Sequence, residues 1–62
     1  MIELGSLYQV VRGEDNIGRY GRVVDNSRSP IQMSNDDVAL MDSGGDIFIA
    51  SKNKLKLVLK VR

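Results

Sequence analysis

The sequence predicts a small all-β barrel of five short strands. Three observations predict it. Short runs of β-branched, aromatic and aliphatic residues recur along the chain between turn-forming residues, and no segment keeps the 3.6-residue period of a helix. Two adjacent glycines, Gly44 and Gly45, separate two such runs, where a tight reversal needs positive φ. Near the C-terminus, Leu55, Leu57, Leu59 and Val61 alternate with Lys54, Lys56, Val58 and Lys60, which is the period of a strand with two unlike faces.

The first strand is expected over Leu7 to Val11, and it stops at Gly13. A polar loop punctuated by Gly13 and Gly18 follows, and Gly21 opens a second strand that runs to Asp25. Asp25 to Pro30 is rich in turn formers, and Pro30 argues against a central strand there. The third strand is Val38 to Met41 and the fourth Ile47 to Ala50, joined by the Asp42–Asp46 hairpin turn. Ser51 to Lys54 reads as one tight helical turn or a bend. In the last strand the alternation assigns Leu55, Leu57, Leu59 and Val61 to the core and the lysines to solvent. A closed or nearly closed barrel would hide the edges that a flat sheet of this size exposes.

Sixty-two residues make one domain, residues 1–62. A chain of this size buries only about 60% of the surface its unfolded form exposes. No cysteine is present to staple it, and no Cys or His to hold a structural zinc. One thin core must therefore carry a stability of about 3–5 kcal/mol, unless an oligomer interface adds to it. The lack of cysteine fits a reducing compartment. No apolar run is long enough to span a membrane, and Met1 to Ser6 lacks the basic start and apolar stretch of a signal peptide. The expected location is the cytoplasm.

Net charge is +1, but its distribution is uneven. Residues 35–46 hold Asp36, Asp37, Asp42 and Asp46 and no base, whereas residues 51–62 hold Lys52, Lys54, Lys56, Lys60 and Arg62 and no acid. This asymmetry either orients a partner or is consumed in cross-strand ion pairs.

Tyr8, Val10, Gly13, Gly18, Gly21 and Val23 match the pattern of the KOW motif. In this motif alternating apolar residues precede a glycine at the head of a loop, and a second glycine precedes the next strand. Residues 38–42, 46–49 and 54–55 look like the remainder of such a domain. The chain thus resembles the KOW-motif, SH3-like barrels of ribosomal large-subunit proteins and NusG-type transcription factors. The resemblance implies a five-stranded SH3-like barrel that binds RNA or docks on transcription or translation machinery. The loop departs from the ribosomal pattern by carrying Glu14 and Asp15 beside Arg12 and Arg19.

Catalytic chemistry finds little support. There is no His, no Cys and no paired base for a serine nucleophile. The glycine loop lacks the Lys-Ser/Thr ending of a P-loop. The plasmid-borne dihydrofolate reductase is also a tiny barrel, but its Val-Gln-Ile-Tyr substrate motif has no counterpart in Asp46-Ile47-Phe48-Ile49. The expectation is a non-enzymatic binding module with no cofactor and no metal. Two classes of partner are expected: nucleic acid or ribonucleoprotein, and alternatively a protein of the transcription or translation machinery. A phage-encoded accessory regulator is one form of the second.

The candidate contact residues are Arg12, Arg19, Tyr20, Arg28, Lys52 and Lys54, expected to meet on one rim. Arginines suit phosphate because each guanidinium offers paired donors. Tyr20 is either a stacking platform beside a cation or a cap over the core with its hydroxyl in water. Phe48 is expected in the core and Tyr8 partly buried. Asp36 and Asp37 read as turn formers rather than cation ligands. Met33, in a loop, hints at a protein-facing surface.

Overall fold

Turn chemistry cuts the chain where the strands end. In the computed structural model, which describes residues 2–61, Asp42 Oδ1 accepts the backbone N–H groups of Gly44 and Asp46 at 2.9 and 3.0 Å. Gly45 supplies the left-handed step with φ of 87°. The expected hairpin forms around this turn. Its arms are β3 (Asp37–Met41) and β4 (Ile47–Ser51), paired without interruption from Asp37 opposite Ser51 to Met41 opposite Ile47. The other strands are β1 (Leu7–Val10), β2 (Tyr20–Val23) and β5 (Leu55–Leu59). All neighbours are antiparallel, in the order β4-β3-β2-β1-β5.

The second strand starts and stops earlier than its apolar run suggests. It covers Tyr20–Val23 rather than Gly21 to Asp25. Asp25 instead caps a 3-10 turn, Asn26–Arg28, by accepting the Ser27 N–H at 2.9 Å. That hydrogen bond holds the Asp25 carboxyl below the usual carboxylate range. The expected tight turn before the last strand is a second 3-10 turn, Lys52–Lys54. It is fastened on both sides: Lys52 N–H donates to the Asp36 carbonyl, and Val11 N–H donates to the Lys54 carbonyl, each at 2.8 Å. Asp37 serves as a turn former, accepting both the N–H and the hydroxyl of Ser34 at 3.1 Å.

Alternate residues of β1 to β4 build the core: Tyr8, Val10, Val23, Val38, Leu40, Phe48 and Ala50 are buried together, with Ile2 and Leu55 packed against them. They occupy one face of the sheet. The molecule measures 28 × 26 × 25 Å, so the sheet must coil around that face, as its natural twist allows. β4 and β5 do not pair. The sheet curls without closing and keeps two edges.

The last strand corrects the alternation reading. Only Leu55 packs against the core, while Leu57, Leu59 and Val61 are exposed by 45, 56 and 38%. Leu57 lies opposite the buried Tyr8, but the next registered pair is Leu7 opposite Leu59. Val58 is thus an extra residue on β5, a β-bulge, and it shifts the faces of everything after it. Leu59 is carried to the outer side with Leu7. Val61 is held elsewhere, its N–H donating to the buried Ser6 Oγ at 3.0 Å. Among the described residues no helix is long and apolar enough to cross a membrane.

These placements separate two leucines that look alike in sequence. Leu40→Ala, at a fully buried position, should cost about 2–5 kcal/mol and leave most of the chain unfolded. Leu59→Ala should change stability by no more than about 0.5 kcal/mol. Urea denaturation of both variants, followed by circular dichroism, checks the assignment.

Candidate functional site

The outer face of the sheet carries a row of five registered residues, one per strand: Ile47, Met41, Arg22, Leu7 and Leu59. Four are apolar. Period two places Tyr20 on the same face of β2 as Arg22, and its ring is 49% exposed. Tyr20 therefore does not cap the core. The 3-10 turn at Asn26–Arg28 packs against β3 and raises one wall beside this face. The Asp42–Gly44 turn and Gly18–Arg19 stand on the other side. Together they enclose an open groove of about 820 Å³. Leu7, Met41, Tyr20, Arg22 and Arg28 line it.

Arg19 is committed to the protein itself. Its Nη1 donates to Asn16 Oδ1 at 2.9 Å and its Nη2 to Asp42 Oδ2 at 2.5 Å. The guanidinium carbon lies 4.2 Å from the centroid of the Phe48 ring, a cation–π distance. Arg19 thus covers the end of the core and joins the first loop to the β3–β4 turn. Asp42 is the matching acceptor. Its carboxyl is held below the usual carboxylate range, first by the Arg19 hydrogen bond and then by the Asp46 backbone N–H.

The six candidate residues lie in separate neighbourhoods. Tyr20 and Arg28 line the groove, with Arg19 at its end already paired. Arg12 and Lys54 lie together at the base of the first loop, where the Lys54 side chain runs against Gly13. Lys52 stands by a second depression with Asp37 and Asn35. Arg22, outside the six, sits in the middle of the groove, and its Nη1 donates to the Gly5 carbonyl at 2.9 Å. Its spacing of two from Tyr20 is the signal that places both on one face. No protein-family model, curated protein or solved structure matches the chain. The groove offers two exposed guanidinium groups, one half-exposed aromatic ring and an apolar floor of Leu7 and Met41. It has no nucleophile paired with a base.

The Asp42–Arg19 pair makes the junction acid-sensitive. The folded-state pKa of Asp42 lies below its unfolded value. Its contribution is complete above the unfolded carboxylate range and is lost as pH falls through the depressed folded value. Asp42→Asn should therefore flatten the acid limb of the stability–pH curve while leaving the neutral-pH fold intact. Carboxyl-carbon NMR titration of the parent chain should find Asp42 titrating below the ordinary aspartate range.

Proposed function

We propose that this chain is a small non-catalytic binding module of the SH3-like, KOW-related kind, and that it binds single-stranded nucleic acid in the groove over β2. The meander order β4-β3-β2-β1-β5, with a 3-10 turn leading into β5, supports the SH3-like reading. The observation that carries the function is the half-exposed Tyr20 ring flanked by Arg22 and Arg28 in one groove. A base stacks on an exposed aromatic whatever its sequence, and neighbouring guanidinium groups meet the phosphates on either side. The Leu7 and Met41 side chains give the edge of a base an apolar floor. Arg19, neutralised by Asp42, positions the groove wall rather than a phosphate. A single strand suits the groove better than a duplex, because base faces are available only when unpaired.

A protein-docking module is the second reading. The apolar outer row extends beyond the groove floor to Ile47 and Leu59, which favours it, because neither phosphate nor a base in the groove has a use for those two residues.

Fluorescence anisotropy with labelled oligo(dT) and oligo(U), at several salt concentrations, separates the two. Two phosphate contacts predict a log–log salt slope of about −1.4, and Arg28→Ala should flatten it by about 0.7. Tyr20→Ala should weaken binding by about 1–3 kcal/mol with the slope unchanged. No binding to either oligonucleotide at low salt rejects the nucleic-acid reading and leaves protein docking.

A further inference from the structure

The free edge of β5 is built to receive a strand. β1 covers one side of β5, and no strand among the described residues pairs with the other. Val11 N–H donates to the Lys54 carbonyl, and the pairs in register beyond it are Val10 with Leu55, Gln9 with Lys56 and Tyr8 with Leu57. Antiparallel ladders alternate bonded and non-bonded pairs. Lys56 therefore turns its backbone groups towards β1. The N–H and C=O groups of Leu57 face outward along the free edge, as does the Leu55 C=O, whereas the Leu55 N–H is already spent on the Lys52 carbonyl. Leu57, Val58 and Leu59 are all about half exposed. Three consecutive exposed apolar residues on an unpaired edge are what proteins ordinarily avoid.

The charge around this edge selects its occupant. Lys52, Lys54, Lys56 and Lys60 are all exposed. Glu3, 3.5 Å from the Lys60 ammonium, is the one acid paired with them among the described residues. The acids of residues 35–46 do not neutralise them: the two ion pairs of the described residues are Arg19–Asp42 and Lys60–Glu3. A second copy of β5 is a poor partner. Antiparallel pairing about Val58 sets Lys56 opposite Lys60 of the other copy, and like charges directly opposite are destabilising. Phosphate would satisfy the lysines but leave the backbone groups and apolar side chains unmatched.

We propose that the outer edge of β5 docks an extended segment of a partner protein in which acidic and apolar residues alternate. The added strand bonds to the outward N–H and C=O groups of Leu57 and to the C=O of Leu55. Its apolar side chains cover Leu57, and its acidic ones meet Lys56 on the opposite face. Main-chain bonds supply affinity and the alternating side chains supply selectivity. The lysines and the bulge at Val58 guard the edge against indiscriminate pairing. This inference is independent of what the groove over β2 binds.

The test uses the full chain, labelled with 15N, and a blocked heptapeptide alternating valine with glutamate. A peptide with lysine in place of glutamate is the control. The proposal expects amide exchange at Leu57 to slow by about tenfold or more with the glutamate peptide, and to be unaffected by the lysine peptide. Lys56→Glu, at an exposed position, should abolish the protection without altering the rest of the spectrum. Spectral changes confined to the β2 groove, or no protection at Leu57, would overturn the proposal. So would concentration-dependent protection of Leu57 without peptide, which assigns the edge to a second copy. Displacement of the peptide from β5 by oligo(dT) would assign it to nucleic acid and overturn it as well.

Discussion

A side chain at position 21 would leave no room for the aromatic ring at position 48. A methyl group built on Gly21 would lie 2.8 Å from Phe48 Cε1 and 2.9 Å from the Leu40 Cβ, closer than such atoms approach in folded proteins. Gly21 lies in the middle strand of the sheet. Its missing side chain lets β2 settle onto Phe48, the one phenylalanine of the chain. Once the ring is seated, Arg19 can lie across it and reach Asp42. Asp42 in turn holds the turn between β3 and β4 through Gly44 and Asp46. A contact inside the core thus fixes two loops at one end of the sheet. Those loops form one side of the groove that holds Tyr20 and Arg22.

The strands were legible because their limits are local. Asp42 to Asp46 announces a reversal through glycine and aspartate chemistry acting within five residues. The 51–54 turn and the Asp37 turn are local in the same sense. What stayed hidden depends on pairs of distant segments. The bulge at Val58 exists only in relation to β1, so the alternation from Leu55 to Val61 looks unbroken in one dimension. The Arg19–Asp42 pair spans 23 residues. Nothing near Arg19 in the chain says that its charge is already used. Val23 and Val24 make Asp25 look like the end of a strand, although its carboxylate is spent on the Ser27 N–H.

The candidate site was legible in kind more than in place. Tyr20 and Arg28 share the groove as a pair, but the basic rim divides, because the turn at Lys52–Lys54 is fastened to Val11 and Asp36. This takes Lys52 and Lys54 away from β2. The same fastening launches β5 along β1 and leaves its far edge open with the lysines around it. Two surfaces of different chemistry result: a groove with arginines and a tyrosine, and a lysine-rich strand edge with bare leucines. The uneven charge of the sequence belongs to the second.

The packing of Gly21 is tested most directly by chemical denaturation of Gly21→Ala. A backbone with negative φ at this position accepts alanine without conformational strain, so any loss comes from the methyl group meeting Phe48 and Leu40. Overpacking of this kind costs about 1–3 kcal/mol, a large share of what so small a core supplies. The account predicts a markedly lower denaturation midpoint, accompanied by loss of the Arg19 contact to the Phe48 ring in NMR spectra. An unchanged midpoint with that contact intact would contradict it.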